Sequence, residues 1–252
     1  MKRAIREASG RTLPLAARSI RSRLFDLLLA VWTALFGLAI PILTLLQVRD
    51  QTIRMATRYW ARGVILCLKH VVGLDHVEHG RETLPDEPFL IVCNHQSTWE
   101  TIAFLILVPD VAIIAKDELI RIPVFGWYLR RSPMIVIDRE SGLHALKTMV
   151  DESHAALAQG RSILIFPEGT RGSGEDELAF KRGVGMLYSK LNVSVVPVAV
   201  NSGRFWSRNQ PFKRPGTITV SYRPPIAPGL QTKEFIKAAE ASIEAGRESP
   251  ER

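Results

Sequence analysis

The sequence predicts an α/β fold: an αβα sandwich around a mixed, largely parallel sheet, preceded by an N-terminal membrane-embedded helical element. Three observations predict it. Short apolar runs of strand length alternate with helix-period segments from about residue 76 onward. Polar, chemistry-bearing residues gather where three of those runs end, the place where open α/β sheets bind ligands. Finally, Leu27 to Val48 carries no charge and, as a helix, would reach roughly 33 Å, about one hydrocarbon core.

At 252 residues the chain holds one well-cored domain with something attached. A hydrophobic fraction of 46% with 23% charged residues is that of a folded protein. The net charge of +8 points to an anionic partner: nucleic acid, an acidic protein or anionic lipid. Cys67 and Cys93 make neither a disulfide framework nor a metal cluster and read as small apolar core residues.

The N-terminus selects lipid over nucleic acid. Lys2, Arg3, Arg6, Arg11, Arg18, Arg21 and Arg23 face one acid, Glu7, just ahead of the uncharged stretch. That stretch is too long for a signal peptide and lacks a clear cleavage site. Pro41 interrupts it, and Arg49, Arg54, Arg58 and Arg62 follow against Asp50 alone. Basic residues at both flanks do not give the asymmetry of a simple span. They suit a helix that dips in and returns, or a hairpin completed by the apolar run Gly63 to Leu74. Arg54, Arg58 and Arg62 share one helical face, where each would gain about 1 kcal/mol against anionic head groups. The expected organisation is a membrane-associated hairpin over 1–75, a catalytic domain over 76–230, and a surface helix with a polar tail over 231–252.

In the body, Phe89 to Cys93, Val111 to Ala115, Met134 to Ile137, Ile163 to Phe166 and Val193 to Val200 read as buried strands. Thr217 to Tyr222 alternates like a final, more exposed one. The clearest helix is Ser141 to Gln159, with Leu143, Leu146, Val150 and Leu157 on one face and Gly160 as its stop. Thr232 to Ala245 reads as a short surface helix before a polar, disordered end.

Three strand ends carry the candidate site: Asn94-His95, Asp138-Arg139, and Pro167-Glu168-Gly169-Thr170-Arg171. Within "IVCNHQSTWE", Glu100 lies five residues after His95, close enough across a turn to accept a hydrogen bond from the imidazole and fix its tautomer. The same residues also fit a strand end and a helix cap, with Ser97 or Thr98 capping and Glu100 as a first-turn acid. No G-x-S-x-G elbow supplies a nucleophile, which leaves a substrate hydroxyl in that role. Arg171 beside a Gly-rich loop, with Arg139 at a neighbouring strand end, suits a phosphate. The glycines match neither a dinucleotide fingerprint nor a P-loop.

"NHQSTWE", "KDELIRIPVFGWYLRRSPMIVIDR", "FPEGTR" and "VSVVPVAV" follow one another in the order and spacing of four sequence blocks. In this the stretch from Phe89 to Asn201 resembles the glycerolipid acyltransferases, and bacterial 1-acyl-glycerol-3-phosphate acyltransferases best. The resemblance implies acyl transfer at a membrane surface with His95 as base and Glu100 as its orienting acid. It implies that Glu168, Gly169, Thr170 and Arg171, with Arg139 and Lys181, bind a lysophosphatidate-like acceptor. It implies acyl carrier protein or acyl-CoA as donor, anionic membrane lipids as partners, no cofactor or metal, and no nucleic acid. The expected location is the inner, cytoplasmic membrane with the catalytic domain on the cytoplasmic face. The family's usual acid at position 100 is aspartate, so Glu100 is a departure. Acceptors such as a lyso-ornithine lipid, or a non-catalytic lipid-binding role, are the alternative readings.

Overall fold

Seven strands form one sheet in the order β1-β7-β6-β2-β5-β3-β4, in a computed structural model that describes residues 15–132, 134–138, 141–171, 179–208 and 210–248. The strands are β1 (Leu74–His79), β2 (Leu90–Cys93), β3 (Ala112–Lys116), β4 (Ile135–Ile137), β5 (Ile163–Ile165), β6 (Val195–Val200) and β7 (Gly216–Tyr222). All neighbours pair in parallel except β6 with β7. The helices are α1 (Leu15–Leu45), α2 (Asp50–Cys67), α3 (Trp99–Leu107), α4 (Phe125–Arg131), α5 (Leu143–Ala158), α6 (Arg182–Leu191) and α7 (Thr232–Glu248). The expected sandwich is therefore present.

Strand alternation sorts the core into two layers. Ile91, Cys93, Ile113, Leu164, Val196 and Val198 meet α1 to α4 on one face. Leu90, Val92, Ala112, Ile114, Ile163 and Val195 meet α5, α6 and α7 on the other. Strands buried on both faces need apolar residues at every position, and β2, β5 and β6 are fully buried throughout.

Several elements differ from the sequence reading. β1 is a strand the sequence reading missed, because its burial alternates and three of its six residues are His or Glu. β7, expected to be the exposed final strand, lies inside the sheet between β1 and β6, with Ile218 and Val220 fully buried. In α5 the buried stripe is Ala145, Met149, Ser153 and Ala156, and Leu143 is 82% exposed. The small Ala and Ser residues let α5 approach the sheet, so the stripe sits one position away from the leucines. α7 is more than a surface helix: Phe235, Ala239 and Ile243 are fully buried at four-residue spacing. The polar end expected beyond it lies outside the described residues.

α1 and α2 form a hairpin. Trp32 Nε1 donates to the Trp60 carbonyl at 3.0 Å, and Trp60 Nε1 donates to Thr33 Oγ1 at 3.1 Å. Gly63 permits this approach, since a Cβ there would meet the Trp32 ring at 2.5 Å. Pro41 sits within α1 without ending it. α1 is long and apolar enough to cross a membrane, and its exposed residues include Leu24, Leu27, Val31, Leu35, Leu38, Ile42 and Leu45. α2 shares the core on this face of the sheet through Trp60, Val64 and Ile65, with Leu68 just beyond its end. The arginine stripe on α2 is divided: Arg54 pairs with Asp110 at 2.6 Å and is 17% exposed, whereas Arg62 is exposed and stacks over Tyr59.

Candidate active site

β2 and β5 are parallel neighbours, so the residues that follow them emerge at the same sheet edge. After β2, Asn94 ties the chain down: Asn94 Nδ2 donates to the Val200 carbonyl at 2.9 Å, and Val200 N–H donates to Asn94 Oδ1 at 2.8 Å. This two-bond clamp to β6 fixes where the next residue, His95, leaves the sheet.

The His95 ring stacks on Phe166, the residue that follows β5, with centroids 4.1 Å apart and 18° between planes. His95 Nδ1 lies 3.1 Å from Glu100 Oε1. Glu100 is fully buried, and the same oxygen accepts the Gln96 and Ser97 N–H groups at 2.5 and 2.6 Å. The Ser202 hydroxyl donates to Glu100 Oε2 at 2.8 Å. A carboxylate holding so many donors is anchored, and Nδ1 facing it carries the ring proton. Nε2 is thereby the basic nitrogen, on a ring that is 15% exposed.

This geometry bears on both readings of "NHQSTWE". Thr98 does not cap α3 with its side chain; its hydroxyl accepts Arg171 Nη1 at 2.9 Å. Ser97 Oγ accepts the Trp99 N–H at 3.0 Å, a local turn. Glu100 points back toward His95 instead of standing as a solvated first-turn acid. The helix start and the His–Glu pair coexist.

The loop after β5 reaches the same place. Gly169 turns it with φ +73°, and its N–H donates to the Phe166 carbonyl at 3.1 Å. Glu168 Oε1 accepts the His95 backbone N–H at 3.1 Å. Burial raises the Glu168 carboxyl above its ordinary range, opposed by that N–H bond, by His95 and by Arg247 of α7. Arg247 is a neighbour that no sequence pattern flagged, since it lies far along the chain on the last turn of α7. Thr170 and Arg171 are exposed. Lys181 precedes α6, its N–H donating to the Pro167 carbonyl at 2.8 Å. Glu168, Gly169, Thr170 and Lys181 line the mouth of a cavity of about 400 Å³ whose walls include Ile114, Ile137, Met149 and Val184.

The structure thus brings together His95, Glu100, Glu168, Gly169, Thr170, Arg171 and Lys181. Arg139 lies outside the described residues; Asp138 before it ends at the sheet margin, one strand beyond β3 and so about 10 Å from the β5 line. Sequence reading missed Ser202 and Phe166 as members of the site, and placed Asn94 at the strand end without its clamp to Val200.

No described hydroxyl or thiol hydrogen-bonds the His95 ring. Cys93 is fully buried, and desolvation, with Glu100 and Glu168 nearby, holds its thiol well above the ordinary range. It is no nucleophile. On the α1–α4 face, an apolar pocket lined by Phe36, Trp60, Leu105, Phe125, Tyr128 and Met134 opens between the hairpin and the sheet.

Fold and site together define an α/β protein in which a buried carboxylate meets a histidine at the edge of a mostly parallel sheet. The chain belongs to the acyltransferase family, whose model, described as Acyltransferase, matches residues 76–201. It is 35% identical over 211 residues to the 1-acyl-sn-glycerol-3-phosphate acyltransferase of Pseudomonas aeruginosa, covering 82% of this chain and 80% of that protein. It is 29% identical over 186 residues to the mouse 1-acyl-sn-glycerol-3-phosphate acyltransferase alpha, covering 72% of this chain and 65% of that one. The crystal structure of the 1-acyl-sn-glycerophosphate (LPA) acyltransferase PlsC from Thermotoga maritima has the same fold. That match has a TM-score of 0.69 at 24% identity and covers 93% of this chain and 100% of the other.

Proposed function

We propose that the protein is a membrane-bound 1-acylglycerol-3-phosphate O-acyltransferase. It moves a fatty acyl group from acyl carrier protein or acyl-CoA to the sn-2 hydroxyl of 1-acyl-sn-glycerol-3-phosphate, giving phosphatidic acid. The observation that carries this reading is the pair His95–Glu100 beside Arg171, at a ring with no protein nucleophile among the described residues. The names of the relatives supply the acceptor class.

In the proposed reaction His95 Nε2 takes the proton from the sn-2 hydroxyl as its oxygen attacks the thioester carbonyl carbon. The tetrahedral intermediate then collapses with cleavage of the C–S bond. The departing sulfur receives the proton held on His95, so the enzyme ends as it began. No acyl-enzyme forms. Glu100 holds Nδ1–H and stabilises the transient imidazolium. Arg171 and Arg139 hold the acceptor phosphate, with Glu168, Gly169, Thr170 and Lys181 shaping the same subsite. Residues 1–75 attach the enzyme to anionic lipid at the cytoplasmic face of the inner membrane, and residues 76–230 carry the chemistry. The basic surface suits an acidic carrier protein as well as lipid.

The test is an acceptor screen with labelled acyl-acyl carrier protein and acyl-CoA, run with wild type and His95→Ala. Wild type should acylate lysophosphatidate in preference to a lyso-ornithine lipid. His95→Ala should lose at least about 100-fold in rate, the usual contribution of a general base. A near wild-type rate in that variant would refute the mechanism.

A further inference from the structure

Glu100 stands where the resembled family carries aspartate, and its extra methylene must be accommodated. The structure shows how. Glu100 Oε1 is the oxygen that meets His95 and the Gln96 and Ser97 N–H groups. Glu100 Oε2 is turned the other way, toward a segment more than a hundred residues later in the chain, and receives the Ser202 hydroxyl at 2.8 Å. Ser202 is the sole described hydrogen-bond donor to that oxygen, and both side chains are fully buried.

The turn that carries the hydroxyl is held on several sides. Ser202 opens a short helical turn, Ser202–Arg204, directly after β6. The Phe205 and Trp206 N–H groups donate to its carbonyl at 3.0 and 2.9 Å. Gly203 N–H donates to Gln96 Oε1 at 3.1 Å, binding this turn to the residue beside His95. Asn201 Oδ1 accepts the Thr219 N–H of β7 at 2.8 Å. Further along the loop, Lys213 Nζ lies 2.6 Å from Asp26 and 4.9 Å from the ring centres of both Phe25 and Trp206, fastening the loop to α1. A donor fixed in this way is pre-organised and does not have to be ordered when substrate arrives.

We infer that Ser202 is a positioning residue of the acyl-transfer site: its hydroxyl fixes the rotation of the Glu100 carboxylate and through it the tautomer and plane of His95. Ser202 does not touch substrate; it acts through Glu100. This inference rests on the proposed role of His95 as base. It accounts for the longer acid, because glutamate reaches the serine behind it while Oε1 still meets the ring. Without the hydroxyl, Oε2 is a buried carboxylate oxygen with no described partner, and the carboxylate is free to turn. That rotation releases Nδ1.

The experiment compares wild type, Ser202→Ala and His95→Ala in detergent-solubilised full-length protein. It measures steady-state kinetics with lysophosphatidate and an acyl thioester, and the His95 tautomer by nitrogen-15 NMR after histidine-selective labelling. Ser202→Ala should lose about 10–100-fold in kcat, the range typical of a partner that orients a reactive ligand. KM for both substrates should stay within about twofold, because no substrate contact is lost. The His95 resonances should pass from one tautomer to a mixture. A kcat within about twofold of wild type, or a lost rate with an unchanged tautomer, would overturn the inference. Should Ser202→Ala fail to fold, Ser202→Cys carries the same test, since its thiol fills the site with a far weaker donor. The His95→Ala arm separates the two claims: if that variant stays active the base is misassigned, whatever Ser202 does.

Discussion

At position 100 one carboxylate oxygen meets the His95 ring and the other accepts the Ser202 hydroxyl. Residue identities alone left His95 and Glu100 open between a catalytic pair and a capped helix start, because the same short stretch supplies His and Glu for the one and Ser, Thr and Glu for the other. What the structure adds is the fold-back of the carboxylate onto the Gln96 and Ser97 N–H groups, a local conformation that no pattern of residue types encodes. The strand-end argument was legible for His95 and for Glu168 to Arg171, since parallel neighbours must end at the same edge. Ser202 was not, because its partner lies across the sheet connection through β6. Arg171 makes its one described hydrogen bond to Thr98, at an exposed position where a phosphate can compete. Arg171→Ala should therefore raise KM for lysophosphatidate about tenfold with kcat little changed, as loss of ground-state binding does. Initial-rate kinetics over a range of acceptor concentration check this, and an unaltered KM would place the phosphate elsewhere.

Elements differ in how plainly they announce themselves. β2, β5 and β6 were legible because strands buried on both faces allow only apolar residues. β1 was not, since an edge strand tolerates His and Glu on its exposed side. α5 and α7 were seen as helices but their faces were misjudged: on α5 close approach to the sheet selects small residues over large ones, and α7 buries Phe235, Ala239 and Ile243 where a surface helix was expected. For α7 the consequence is energetic. Phe235 is fully buried and stacks on Tyr188 with centroids 3.9 Å apart. Phe235→Ala should cost about 3–5 kcal/mol, the range for a large aromatic removed from a core, whereas a surface helix would lose almost nothing. Urea titration in detergent measures the difference. A second device joins α2 to the start of the sheet: Asp110 pairs with Arg54 at 2.6 Å, and its carbonyl accepts Arg161 Nε at 3.1 Å. Asp110→Ala should destabilise by about 1–3 kcal/mol, less than a fully buried pair because Asp110 is 35% exposed. The same titration reads it, and an unchanged midpoint would mean that solvent already screens the pair.

On the scale of the whole molecule, the hairpin both presents an exposed apolar face on α1 and forms one wall of the core against the sheet. Phe25 and Ile53 are fully buried, so deleting residues 1–60 would open the core together with any anchor and could not distinguish the two roles. Substitution can. Leu35 and Leu38 lie on the outer face of α1, 52% and 73% exposed, and so contribute little to internal packing. Placed near the middle of a hydrocarbon-embedded helix, an aspartate costs roughly 2.5–3.5 kcal/mol relative to a neutral reference. Leu35→Asp combined with Leu38→Asp should therefore abolish sedimentation with vesicles of anionic phospholipid while leaving the melting temperature in detergent near that of wild type. Raising the salt concentration separates the two attractions: the contribution of Arg49, Arg58 and Arg62 is screened, and that of the apolar face is not. If the doubly substituted protein still sedimented at high salt, the lipid contact would lie off α1, and the exposed stripe from Leu24 to Leu45 would need another partner.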